Sequence, residues 1–148
     1  MTDPESPAAP LRLRAQSRDD LVVISALLQN ALLWRRDLHY DHDAWQVVAI
    51  FNRFRHEDAA SSPPYWRTHT VLRLDAVTRV RRTTALPALG RVMVQEVLTL
   101  TADPGDDAPQ TLTLTCAGGA IAFEILALDL LLHDLGAPWT TPWRPTSA

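Results

Sequence analysis

The chain has 148 residues, 47% hydrophobic and 21% charged, with a formal net charge of −3: the size and balance of one globular domain with an ordinary core. All 14 basic residues are arginine and none is lysine, which excludes Schiff-base chemistry, a lysine nucleophile and the phosphate-binding lysine of a P-loop. The single cysteine, Cys116, excludes an internal disulfide framework and a multi-cysteine zinc site, and no apolar run approaches the ~18 residues of a membrane-spanning helix.

Residues 1–10 hold acids and prolines without an apolar stretch, so they read as a tail rather than a secretory leader, and a cytoplasmic location is the default expectation. A single domain is expected over residues 11–137. Residues 138–148, with Trp139 and Trp143 among prolines, read as a C-terminal tail that can lie against the body.

Leu11 to Ala15 alternates strictly and predicts a short strand. Ser17 followed by Asp19 and Asp20 is a helix N-cap with acids in the first turn, and Leu21, Ile24, Leu27 and Leu28 follow at helical spacing, with Asn30 as the terminator. Short strands are expected at Ala31–Trp34 and Leu38–Tyr40, around Arg35-Arg36-Asp37. Asp41-His42-Asp43 reads as a hairpin turn.

Trp45–Phe54 is predicted as a long strand with Val47, Ala49 and Phe51 on one face, and 55–64 as a loop ending in Pro63-Pro64. Thr68–Arg82 predicts one continuous strand, Ala85–Gly90 a connector, Val92–Thr101 a strand and Asp103–Asp107 a loop. In Thr111–Cys116 the inward residues are Leu112, Leu114 and Cys116. Gly118-Gly119 marks a hairpin, and Ile121, Phe123 and Ile125 continue the inward face. A second helix is expected over Leu126–Leu135, stopped by Gly136 and Pro138.

The predicted class is therefore α+β: a strongly bent antiparallel sheet or partly open, pleckstrin-homology-like barrel, with a helix after the first strand and another at the C-terminus.

Four segments carry a resemblance. They are Asp19-Asp20-Leu21 with Val23-Ile24-Ser25-Ala26 and Leu28-Gln29, Asn52-Arg53-Phe54, Ala117-Gly118-Gly119 with Ile121, and Leu135-Gly136 with Trp139. In this order they resemble an uncharacterised family of small bacterial proteins, a domain of unknown function. Arg55-His56 stands where that family tends to place a tryptophan. The resemblance implies one short cytoplasmic domain and supplies no activity, cofactor or catalytic residue.

Asn52, Arg53 and Glu57 are the leading ligand-binding candidates. A strand ending in Asn-Arg and followed by Glu57 can set an arginine fork at a pocket mouth, to take a carboxylate or phosphate bidentately. The structural alternative is that Asn52 caps a bend and Arg53 pairs with a buried acid. Arg73, Arg79 and Arg81 share a face of the predicted long strand and form a candidate patch for an anionic partner; the structural alternative is a solvated face, since outward charges are the norm on a half-exposed strand and also suppress edge-to-edge pairing.

His39, Asp41 and Asp43 match no established metal motif, and a polar turn accounts for them; no metal and no cofactor are expected. Cys116 reads as a core thiol, His133 as a helix-end residue, and Ser25 lacks the glycine elbow of a serine hydrolase. With every sequence-local catalytic constellation missing, the expected function is a non-catalytic binding or adaptor module with a protein partner or a second copy of itself. Neither membrane insertion nor nucleic acid is expected, the mildly acidic balance arguing against the latter. The alternative is a small-molecule enzyme or sensor with a site around Arg53 and Glu57.

Overall fold

Strand follows strand because β-branched and aromatic residues alternate with polar ones in short runs through most of the chain. In the computed structural model, which describes residues 9–59, 61–84, 94–103 and 110–145, β1 (Arg12–Ala15) leads into helix α1 (Arg18–Leu28). Eight strands follow: β2 (Leu32–Asp41), β3 (Gln46–Phe54), β4 (Tyr65–Leu74), β5 (Val77–Thr84), β6 (Val94–Ala102), β7 (Gln110–Cys116), β8 (Gly119–Ile125) and β9 (Leu130–Thr141). A 3₁₀ turn, His56–Asp58, lies between β3 and β4. All ladders are antiparallel and join into one nine-stranded sheet, ordered β1-β9-β4-β3-β2-β6-β7-β8-β5 and not closed into a barrel.

The early helix forms as its sequence dictates. Ser17 sits in an extended conformation and its hydroxyl accepts from the Asp20 amide, Leu21, Ile24 and Leu28 are buried, and Asn30 just beyond the end takes a left-handed φ of 66°. Ser25 reaches across to β6, its Oγ accepting the Leu100 amide at 2.9 Å beside a register shift in the β6–β7 ladder.

The expected C-terminal helix is absent, and Leu126–Leu135 contributes to β9 instead. Leu130, Leu132 and Asp134 are buried and alternate with half-buried Leu131 and His133, because β9 lies between β1 and β4. A central strand with partial cover on its second face reads as a continuous apolar run, which periodicity alone cannot tell from a buried helix. Gly136, expected to end that helix, lies within β9 at φ 65°, where the register against β4 shifts. The strand continues to Thr141, so Pro138 and Trp139 are sheet residues rather than tail. With one helix and nine strands among the described residues the fold is mostly β, a correction to the α+β expectation.

Two further boundaries differ. Ala31–Trp34 and Leu38–Tyr40 belong to one strand, β2, whose pairing with β3 shifts register between Leu33 and Leu38. The predicted Thr68–Arg82 strand breaks at Asp75-Ala76, where Ala76 has φ 58°; β4 pairs with β3 and β9, whereas β5 pairs with β8. The Ala85–Gly90 connector and most of the 1–10 tail and Asp103–Asp107 loop lie outside the described residues.

One apolar cluster fills the inner face: Val47, Ala49 and Phe51 of β3, Leu72 and Leu74 of β4, Leu112 and Leu114 of β7, Phe123 of β8 and Leu132 of β9, with Leu21, Ile24 and Leu28 of α1 packed on it.

Candidate functional site

The inward parity of β3 does not stop at its apolar residues. After Val47, Ala49 and Phe51 it continues to Arg53, and the buried Arg55 follows just beyond the strand. Two guanidiniums are thereby taken out of water, which requires acids beside them. The fold provides three. Arg53, fully buried, donates from Nη1 and Nη2 to the two carboxylate oxygens of Glu57 at 2.8 and 2.9 Å, from Nη2 to Asp134 at 3.0 Å, and from Nε to Thr70 at 3.1 Å. Arg55, 1% exposed, donates to Asp58 at 2.5 Å, to Asp134 at 3.1 Å and to the Ala9 carbonyl at 3.2 Å.

Asp134 is the hub. Only 4% exposed, it also accepts from the Thr70 hydroxyl at 2.7 Å and from the Leu11 amide at 2.8 Å, so one carboxylate ties β3, β4, β9 and the entry to β1 together. Burial pushes its pKa up, but the Leu11 and Thr70 hydrogen bonds and the Arg53 charge outweigh it and hold the carboxyl below its ordinary value. Glu57 follows the same logic: burial raises its pKa, and the Arg53 hydrogen bond and charge bring it below the usual carboxylate range. Burial in turn lowers the Arg53 pKa, yet Glu57 and Asp134 leave it raised overall. No buried polar side-chain atom lacks a hydrogen-bond partner among the described residues.

Arg53 and Glu57 are thus brought together as a bidentate pair, with the Arg53 fork held by the protein's own acids. Asn52 points to the opposite face of β3, where its Oδ1 accepts from Arg67 Nε at 2.6 Å and its carbonyl from Arg67 Nη2 at 3.0 Å. Arg67 lies over the ring of Phe54, which also packs against His56 and Tyr65; His56 Nε2 is 2.7 Å from the Gln29 carbonyl, linking the 3₁₀ turn to the end of α1.

The sequence reading missed Arg55, Asp58, Thr70 and Asp134. A usable signal was the alternation itself: Arg53 and Arg55 continue the inward positions of β3 and demand buried acids. Asp134 was hidden by its assignment to a helix.

Of the second candidate group, Arg73 lies on β4 and pairs with Asp75 at 3.2 Å, while Arg79 and Arg81 lie on β5, with Arg81 3.3 Å from Glu124. The break at Ala76 therefore separates Arg73 from the other two. Asp41 accepts the amides of Asp43 and Ala44, a side-chain-closed turn, and no group of three metal-ligating residues occurs among the described residues. Cys116 is buried, with its thiol pKa pushed up by burial to about 11. His133 is half-buried on β9, Trp139 packs on His69 with ring centroids 4.8 Å apart, and Trp143 is exposed. Among the described residues no helix is long and apolar enough to cross a membrane.

A family model described as "Protein of unknown function (DUF2948)" matches residues 11–147, nearly the whole chain. No curated protein and no solved structure matches.

Proposed function

The chain belongs to the DUF2948 family, and we propose that it works as a non-catalytic binding or adaptor module. The observation that carries this reading is the outer face of β2, β3, β4 and β9. Leu32, Val48, Ile50, Val71 and Leu131 are half-buried there and Leu135 is exposed, while helix α1 packs on the inner side. Half-buried apolar residues interleaved with Arg12, Arg14, Arg73, His39, His69 and His133 give this face the composition of an interaction surface. The alternative site at Arg53 and Glu57 is weakened by the saturation of that guanidinium: a ligand carboxylate would have to displace Glu57 or Asp134 to reach it.

The test is capture from the host of the tagged chain and of an Ile50→Glu/Val71→Glu variant, with native mass spectrometry of the purified protein. A protein held by the wild type and lost by the folded variant supports the module. A small molecule carried through purification and lost in Glu57→Gln, with no such protein, supports the enzyme or sensor instead.

A further inference from the structure

Arg53 and Arg67 occupy opposite faces of the β3–β4 ladder, and their surroundings differ in kind. Arg53, on the inner face, meets the carboxylates of Glu57 and Asp134. Arg67, half-buried on the outer face, donates instead to the Asn52 side-chain oxygen at 2.6 Å and the Asn52 carbonyl at 3.0 Å. These acceptors are neutral, so they orient the guanidinium without cancelling its charge. Burial lowers the Arg67 pKa, and the pull of Glu96 does not make up the difference. A cation is thereby fixed on the outer face, over the ring of Phe54 and opposite Trp139, which packs on His69.

Along β4 the same face continues through His69 and Val71 to Arg73. The ladders set Ile50 and His133 beside Val71, and Val48 and Leu131 beside Arg73. The middle of the face is therefore aliphatic, with Arg67 at one end, Arg73 at the other and Arg12 and Arg14 along the β1 side. Arg73 and Arg14 pair with Asp75 and Asp129, but both arginine side chains are at least half exposed. Pairs this exposed are held weakly in water, so a partner's carboxylate can compete for both arginines. The backbones of β3, β4 and β9 are engaged in ladders on either side, so recognition on this face falls to side chains.

We propose that the outer face of β3, β4 and β9 binds an acidic amphipathic helix of a partner protein. Its apolar stripe lies on Ile50 and Val71, and its flanking carboxylates reach Arg67 and Arg73. The proposal rests on the binding-module reading and gives that module's partner a chemistry. From Arg67 to Arg73 is about 20 Å of strand, which a helix of about thirteen residues spans. Apolar residues at i, i+3, i+4 and i+7 form the stripe, and acids on either side of it answer the two arginines. A nucleic-acid strand would satisfy Arg67 and stack on Trp139, but it would set sugar and phosphate against Ile50 and Val71. Both ends of the stripe carry arginine, so a second copy laid face to face would set arginine against arginine in either direction.

The experiment titrates the full-length chain with a labelled, capped helical peptide of leucine, alanine and glutamate in this pattern, reading anisotropy at low and raised salt. Its lysine counterpart and a version broken by a central proline are the controls. A single-stranded RNA and vesicles containing phosphatidylserine form the other arms, and sedimentation of the chain alone reports self-association. The glutamate helix should bind at least about tenfold tighter than either control and weaken with salt. Arg67→Gln/Arg73→Gln should weaken it at least about tenfold and Ile50→Glu/Val71→Glu abolish it, with circular dichroism unchanged. Arg12→Gln/Arg73→Gln, at exposed positions, should also weaken it and serves if the loss of the Asn52 contact unfolds the first variant. Arg79→Gln/Arg81→Gln, on β5, should leave it unchanged. Equal binding of the peptides, no binding, indifference to the arginine variants, tighter binding of RNA or vesicles, or self-association lost in Ile50→Glu/Val71→Glu overturns the proposal. If the peptides are silent while host capture still yields a partner lost in Ile50→Glu/Val71→Glu, the acidic helix falls and the module stands; if both are silent, both fall.

Discussion

Asp134→Asn is the most informative single change. The carboxylate receives hydrogen bonds from Arg53, Arg55, Thr70 and the Leu11 amide, and it is almost wholly buried. An asparagine keeps the volume and one acceptor oxygen but removes the charge, and its amide group must face a guanidinium. Breaking a buried ion pair by removing one partner costs about 3–5 kcal/mol, against a total stability of about 5–15 kcal/mol for a domain. With a urea m-value of about 2 kcal/mol/M, the unfolding midpoint, followed by tryptophan fluorescence, should fall by about 2 M with m unchanged. Arg53→Met/Asp134→Leu should lose less than the two single changes together, since Arg53 and Asp134 then do not strand each other, while the part-exposed Glu57 gives up its arginine. A loss below about 1 kcal/mol for Asp134→Asn, the range of an exposed pair, would refute the reasoning.

Three other outcomes follow from the same geometry. Asp134 and Glu57 both titrate below their ordinary values, so their stabilisation is fully present above the unfolded carboxyl pKa of about 4 and is lost as pH falls through the lower folded values. Urea midpoints from pH 7 to pH 2 should drop more steeply for the wild type than for Asp134→Asn. Gly136→Ala should cost about 1 kcal/mol through its φ of 65° alone, since nothing lies within 4 Å of an added Cβ, and a larger loss in a thermal melt would contradict that. Ser25→Ala removes the acceptor of the Leu100 amide and should cost about 1 kcal/mol, with faster hydrogen exchange at Leu100.

What could be read from the residues was local chemistry with one answer. The Ser17 cap, the Leu112–Cys116 alternation and the Asp41 turn each rest on neighbours in sequence, and each stands in the structure. The errors arose where the deciding partner was distant. Leu130–Asp134 is a strand because β1 and β4 flank it, which its own apolar run does not announce. The break at Ala76 carries no glycine or proline to mark it. Arg53 had two readings because its second acid, Asp134, stands 81 residues away and was assigned to a helix end. The arginines of β5 were visible as charges, but their place at the end of the sheet order beside β8 is a property of topology.

The central proposal is that the charges at the end of β3 hold the fold while the outside of the sheet does the binding. Glu57→Gln tests it most directly, because it removes the one partly exposed acid on Arg53 and leaves Asp134 in place. Host capture with the folded variant should recover the same partner in the same amount as the wild type. Loss of that partner, with circular dichroism and melting point little changed, would place function at Arg53 and Glu57 and contradict the account.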